Sequence, residues 1–271
     1  MLVFPNAKIN LGLHVTGILS DGFHDIETVI LPVAFRDILE IVPSGEQKME
    51  FCQSGLTIPG KSNDNLCLRA YQLIRSGFHI PQVRIHLHKM IPPGAGLGGG
   101  SSDAASAIKL LNDLFSLAMT PSQMMDYAGE LGSDCPFFIG NKPVFASGRG
   151  DQFEPIDLNL AGYSIAIVIP PVHINTSDAY KQIIVKKPVE SLRYILKTDP
   201  GEWKNRLVND FEDPVFKRYP GIGEIKDKLY SAGAVYSSMS GSGSAVFGLF
   251  DQPLPDLNSF PDCIIWTGKL S

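Results

Sequence analysis

The chain has 271 residues, 44% of them hydrophobic and 19% charged, with a formal net charge of −5. That length and balance admit one large or two modest globular domains with a substantial core. The acidic balance argues against non-specific binding to nucleic acid or an anionic membrane, so any site for a polyanionic ligand must be locally basic.

Four widely spaced cysteines, Cys52, Cys67, Cys135 and Cys263, form no Cys-x-x-Cys pair. They support neither a zinc site nor a disulfide framework, and a reducing cytoplasm suits them. The first residues lack the charged head and long apolar middle of a signal peptide. No run approaches the roughly 18 apolar residues of a membrane span. A soluble cytoplasmic protein is expected.

Residues 7–18 alternate, with Ile9, Leu11, Leu13 and Val15 on one face and Lys8, Asn10 and His14 on the other. This predicts a half-buried strand, and on position alone Lys8 belongs to its solvated face. Ser20-Asp21-Gly22 forms a turn before a second strand from Phe23 to Ile30. His24, beside that turn, reads alone as a structural hydrogen-bonding residue. Arg36 to Val42 continues the sheet, Pro43-Ser44-Gly45 ends it, and a short strand is possible at Met49–Cys52. Asn63-Asp64-Asn65 predicts a helix start, with Leu66, Ala70, Leu73 and Ile74 as its apolar stripe and Gly77 as its end.

Val83, Ile85 and Leu87 alternate in a strand that delivers Ile91-Pro92-Pro93-Gly94-Ala95-Gly96-Leu97-Gly98-Gly99-Gly100-Ser101-Ser102-Asp103. Five of the seven residues from Gly94 to Gly100 are glycine. So bare a backbone bends through positive φ and brings its N–H groups close to a ligand. Ala104, Ile108, Leu111 and Phe115 predict a helix over Ser101–Phe115, with Ser101 or Ser102 as its cap. A glycine loop running into a helix N-terminus is an anion site, most commonly for phosphate. A flexible linker is the plainer reading, but a linker is not framed by an apolar strand and an amphipathic helix.

No Gly-Lys-Ser/Thr follows, so the P-loop pattern fails. Gly94-x-Gly96-x-x-Gly99 fits the dinucleotide fingerprint, a weak pattern alone. It would need a strand after the helix, whereas Pro121–Leu131, stopped by Gly132, reads as a second helix. In Gly132-Ser133-Asp134-Cys135-Pro136, Pro136 is expected to push Cys135 out of the helical region. Asp134 then sits in a tight link, either as a turn former or as a carboxylate held at a buried edge.

Val144–Ala146 and Asp151–Ile156 predict a hairpin around Ser147-Gly148-Arg149-Gly150. A composition shift at 157–162 marks the domain boundary, giving domains 1–156 and 157–271. Ile165–Ile169 is a buried strand by length and β-branching. A second glycine-serine loop, Ser240-Gly241-Ser242-Gly243-Ser244, precedes a strand over Ala245–Phe250. It is either a hairpin turn or a second source of backbone amides for a shared site; its glycine content exceeds what a turn requires.

Several segments, in order along the chain, carry a family resemblance. They are Ala7-Lys8-Ile9-Asn10-Leu11, Asp21-Gly22-Phe23-His24, Asp64-Asn65-Leu66, the loop Pro92–Ser102, Leu131-Gly132-Ser133-Asp134, Gly148-Arg149-Gly150, Asn209-Asp210-Phe211-Glu212 and Ser240-Gly241-Ser242-Gly243. Through them the chain resembles the GHMP kinases. The resemblance implies an α+β two-domain GHMP kinase fold, with a ribosomal protein S5 domain 2-like N-terminal domain and a ferredoxin-like C-terminal domain. It implies ATP as co-substrate, Mg2+ and a small-molecule alcohol acceptor, with no nucleic-acid or membrane partner. Lys8-x-Asn10 with Gly22-Phe23-His24 narrows it to the branch that phosphorylates the 2-hydroxyl of a diphosphocytidyl methylerythritol; a homoserine- or mevalonate-type kinase is the alternative.

The implied catalytic residues are Lys8, which would lie beside the γ-phosphate, and Asp134, the proton acceptor. Asn65, Lys89 and every residue from Pro92 to Ser102 would bind ATP, with Ser101 or Ser102 reaching the metal. Asn10, Phe23, His24 and Thr176 would bind the alcohol substrate, His24 at the cytosine edge. Two departures stand out: Phe23 replaces the usual tyrosine, and Asp151 stands where glutamate is frequent.

Overall fold

The computed structural model describes residues 1–45, 48–257 and 259–270. In chain order the elements are β1 (Leu2–Val3), β2 (Asn6–Ile18), β3 (His24–Arg36), β4 (Ile38–Pro43), β5 (Glu50–Gly55), α1 (Leu66–Gly77), β6 (Val83–Lys89), α2 (Gly99–Leu114), α3 (Pro121–Leu131) and α4 (Cys135–Gly140). There follow β7 (Val144–Ser147), β8 (Gln152–Pro155), β9 (Ser164–Ile169), α5 (Thr176–Tyr180), α6 (Leu192–Ile195), α7 (Glu212–Arg218), α8 (Pro220–Ser231), β10 (Tyr236–Met239), β11 (Val246–Phe250) and β12 (Ile264–Lys269). The chain divides into two contact units that interleave in sequence. The first holds Met1–Ala7, Phe35–Pro93 and Gly98–Lys142; the second holds Lys8–Ala34, Gly94–Leu97 and the chain from Pro143 onward.

The first unit is built on the sheet β1-β4-β6-β5, in which β5 runs parallel to β6 and the other pairs are antiparallel. Val83, Ile85 and Leu87 of β6 are buried, as their alternation requires. Helix α2 packs on α1, α3 and α4 and on β4. Asn65 caps α1, its Oδ1 accepting from Cys67 N at 2.9 Å. Helix α3 opens on a capping box made by Thr120 and Gln123, with Pro121 in its first turn.

Two local expectations are corrected in this unit. Cys135 is not driven out of the helical region: it opens α4, and Pro136 sits in that helix's first turn. A proline there sacrifices no hydrogen bond, because the first amides of a helix have no intrahelical partner. Nor does Ser101 or Ser102 cap α2. The cap is Gly98, in the left-handed region at φ 68°, without a side-chain bond, and both serines lie in the helix. Glycine reaches that conformation without strain, so the helix begins earlier than its apolar stripe.

The second unit contains the sheets β2-β3-β7-β8 and β10-β11-β9-β12. In the latter every pair is antiparallel, with the first and third strands central and the second and fourth at the edges. That is the ferredoxin-like order, although the crossover at 251–263 contains no helix among its described residues. Val168, Val246, Met239, Phe211, Ile225 and Leu229 belong to one apolar core, into which Leu13 and Val15 of β2 also project. Strand β2 departs from the expected half-burial, because its polar face is covered as well: Lys8, Asn10 and His14 are all 4–5% exposed. A sequence period of two separates the faces of a strand but does not say what covers each of them.

Candidate active site

From Gly94 to Gly98, glycines at φ 70°, 78° and 68° alternate with Ala95 and Leu97, whose side chains are buried. Alternation of left-handed glycines with ordinary residues forms a nest, in which successive N–H groups face one concavity. The carbonyls are used elsewhere. Ala95 O accepts from Ala245 N at 3.1 Å, Gly96 O from Ser240 Oγ at 2.9 Å and Leu97 O from Lys8 N at 2.9 Å. Three consecutive carbonyls are thus tied to the protein. Beyond them, the amides of Gly99, Gly100 and Ser101 open α2 with no carbonyl four residues earlier in the helix. This loop is built for an anion.

Lys8 lies within the same unit as the Gly94–Leu97 segment. Its Nζ donates to Asn10 Oδ1 at 2.6 Å, Asn10 Nδ2 donates to Thr28 Oγ1 at 3.0 Å, and Thr28 Oγ1 donates to Gly12 O at 2.5 Å. A buried ammonium needs such partners to offset lost hydration. The second glycine-serine loop closes over this chain of bonds. A methyl group at Gly241 would lie 3.5 Å from Lys8 Nζ and 3.4 Å from Asn10 Oδ1, and one at Gly96 would lie 2.1 Å from Ser240 O. The loop is a hairpin turn between β10 and β11, and it also meets the Gly94–Leu97 loop. Asn209 holds it in place, its Nδ2 donating to Met239 O and Gly241 O, both at 2.8 Å.

The expected substrate residues fall in the same unit. Thr176, the first residue of α5, is within 3.0 Å of Ser242 Oγ through its hydroxyl. The His24 ring stacks on Tyr180, centroids 4.5 Å apart at 25°, and Tyr180 meets Phe211 edge-on at 4.8 Å. Phe23, next to His24, is 56% exposed. His173 packs against the Cα of Gly94, where a methyl group would lie 2.5 Å from Cε1.

In the first unit, Pro92 and Pro93 lead out of β6 above a buried ion triad. Lys89 Nζ donates to Asp37 Oδ2 at 2.5 Å and to Asp103 Oδ2 at 2.7 Å, and all three residues are at most 2% exposed. Asp37 Oδ1 also accepts from Met90 N and Ile91 N, which pins the start of the loop. The Lys89 ammonium is therefore committed to two carboxylates at the end of β6. Burial alone would push its ammonium pKa down, but Asp103 and Asp37 outweigh that and hold it above the ordinary lysine value. Burial pushes Asp103 the other way, only partly countered by Lys89, up to about 7. Asp134 is half-buried at the start of α4 and makes no capping bond to that helix. Ser101 is half-buried and Ser102 fully buried in α2. Burial, more than the hydroxyl of Ser101 counters, pushes the Cys135 thiol up to about 11.

The model of the GHMP kinases N terminal domain matches residues 65–142, and that of the GHMP kinases C terminal matches residues 191–256. A 4-diphosphocytidyl-2-C-methyl-D-erythritol kinase of Azobacteroides pseudotrichonymphae is 52% identical to this chain, covering 96% of it and 97% of that protein. Its namesake in Parabacteroides distasonis is 48% identical over the full length of both. The chain belongs to the 4-diphosphocytidyl-2-C-methyl-D-erythritol kinase family of GHMP kinases. A crystal structure of 4-(cytidine 5'-diphospho)-2C-methyl-D-erythritol kinase superposes with a TM-score of 0.82 at 29% identity, covering all of both chains.

Sequence reasoning missed several residues: Asp37 and Asp103 bonded to Lys89, Asn209 and Ser240 holding the second loop, and His173 against Gly94. Asn209, Ser240 and Asp103 lay within motifs or stretches the sequence singled out, but none was given a side-chain role; Asp37 and His173 carried no signal. The ion triad has a measurable consequence. Burial holds the native Asp103 carboxyl up at about 7, so the folded chain keeps this proton to higher pH than the unfolded chain, where the group has its ordinary carboxylate value. The native state binds more protons in that window, so this group's contribution to stability falls as pH rises through it. Asp103→Asn is expected to remove that slope. Urea unfolding at several pH values between 4 and 7 checks it, and parallel wild-type and variant profiles would refute the assignment.

Proposed function

We propose that this chain transfers the γ-phosphoryl group of ATP to the 2-hydroxyl of 4-diphosphocytidyl-2-C-methyl-D-erythritol. The observation that carries the reading is the Gly94–Gly98 nest with its carbonyls turned inward, joined by the Lys8 N to Leu97 O bond to a buried Lys8. Phosphoryl transfer through a loose transition state requires mainly positioning and charge stabilisation, which backbone amides and one lysine supply. The amides of the loop and of the first turn of α2 hold the β- and γ-phosphates. Lys8 draws the transferring group; Asp134 accepts the proton of the attacking hydroxyl. The new O–P bond forms as the bond to the β,γ-bridging oxygen breaks, and ADP leaves.

Asn10, Phe23, His24 and Thr176 bind the alcohol substrate, with His24 and Phe23 at its cytosine end. Asn65 serves the ATP side from the cap of α1, and Lys89 does so by fixing the loop's entry. Among the described residues no group of three or more His, Cys, Asp or Glu side chains is arranged to hold a metal. Magnesium would come with ATP and would supply charge neutralisation at the phosphates. Ser101 or Ser102, in the first turn of α2, would reach it. The domain boundary proposed at 156/157 falls in the interval left open by the two family matches. Four unbridged cysteines suit a reducing cytoplasm, and among the described residues no helix is long and apolar enough to cross a membrane.

Purified protein with ATP and magnesium is expected to release ADP in a coupled assay when given the diphosphocytidyl alcohol, and not when given homoserine or mevalonate. Turnover of either of those in its place would overturn the substrate assignment.

A further inference from the structure

The Gly148-Arg149-Gly150 segment has no task in the reading above, yet it is docked on the Asp21–His24 turn. Ile26 N, at the start of β3, donates to Gly148 O at 2.8 Å. The Arg149 guanidinium lies over the Phe23 ring, 4.2 Å from its centroid, and its Nη2 pairs with Asp21 Oδ2. The other oxygen of Asp21 accepts from Phe23 N at 3.0 Å. One carboxylate thus links the guanidinium to the backbone of the residue whose ring that guanidinium covers. The Phe23 N–H, and then Arg149, hold the Asp21 carboxyl below its ordinary value. The turn is closed at its base by Leu19 N to Phe23 O at 2.7 Å.

An exposed phenylalanine is ordinarily free to rotate, and a freely rotating ring is a poor stacking platform. With a guanidinium on one face and its main chain fixed by Asp21, this ring has a single face left for a ligand. The covering group is planar and cationic, which suits it to lie flat on an aromatic face.

We propose that Arg149 is a positioning residue for the substrate's nucleobase, setting the Phe23 ring so that its uncovered face stacks on a pyrimidine. The inference rests on the substrate reading above. It assigns the loss of the tyrosine hydroxyl at Phe23 no cost in orientation, because the ring is held from its other face.

The test compares wild type with Arg149→Met, Arg149→Lys and Asp21→Asn in steady-state assays, using cytidine diphosphate as a competitive probe of the base site. Arg149→Met is expected to raise KM for the alcohol and Ki for cytidine diphosphate by about tenfold, the order expected from losing one cation–π contact and one ion pair. KM for ATP and kcat at saturation should be unchanged. Arg149→Lys keeps the charge without the flat stack, so it should recover part of the loss. Asp21→Asn should resemble Arg149→Met, and the double variant should be no worse than either single one, because both remove the same link. Unchanged KM and Ki in Arg149→Met overturn the proposal, as does a loss in kcat or in KM for ATP of equal size. Wild-type protein that neither turns over the alcohol nor binds cytidine diphosphate overturns the substrate reading instead.

Discussion

Asp134→Asn is expected to lower kcat by about 10²–10⁴-fold, the usual worth of a positioned acid or base. The substitution preserves shape while removing the charge and the capacity to take a proton. The amide keeps the shape of the start of α4, where Asp134 makes no capping bond, so the melting temperature should change far less than kcat. Lys8 is the companion case, with a different stability signature. Lys8→Met should cost about 10²–10³-fold in kcat, as expected for removing one charge-stabilising group. It also leaves the buried Asn10 Oδ1 without the donor now at 2.6 Å, a loss of roughly 1–3 kcal/mol for an unsatisfied buried acceptor. The proposed roles act in the transition state, so KM for each substrate should move little. Coupled ADP release at saturating substrate, alongside thermal melts, separates the two effects. Near-wild-type turnover in either variant would remove that residue from the chemistry.

The local features of the site were legible because local physics dictates them. Glycine at Gly94, Gly96 and Gly98 is demanded by positive φ, and an apolar strand followed by an amphipathic helix framed the loop unmistakably. Strand β6 occupies the span its alternation indicated. What covers a surface was not legible. Lys8 and Asn10 read as solvated because their periodicity marks a face, while the loop that buries that face arrives more than 200 residues later. The ion triad escaped notice for the same reason: Lys89 is 52 residues from Asp37 and 14 from Asp103. Arg149 is separated from Asp21 by 128 residues. The two local errors have a different origin, since each applied a preference where a competitor was equally available. Gly98 caps α2 as readily as a serine would, and the restriction before proline is relaxed in the first turn of a helix.

Gly96→Ala is expected to reduce kcat/KM for ATP by at least about 10²-fold, since a displacement near 1 Å can cost that much at a site that works by positioning. Two physical effects combine at this residue. At φ 78° an L-residue pays roughly 1–2 kcal/mol of backbone strain. In addition, the new methyl group would lie 2.1 Å from the Ser240 carbonyl oxygen and 3.1 Å from that of Gly243. These are backbone atoms, so no side chain can rotate away; one of the two loops has to move. The glycine loop is fixed to its surroundings through Ala95 O, Gly96 O and Leu97 O, and the last of these bonds reaches the main chain of Lys8. A shift at Gly96 therefore displaces the nest and the lysine together. Gly162→Ala separates strain from collision, because Gly162 has φ 94° with nothing within 4 Å of a new methyl group. It should lower the melting temperature through strain alone and leave turnover unchanged. Turnover in Gly96→Ala matching that of Gly162→Ala would mean that the contact between the loops is irrelevant to holding the nucleotide. A selective loss in Gly96→Ala would mean that the phosphate cradle depends on a carbonyl from the far end of the chain as well as on its own glycines.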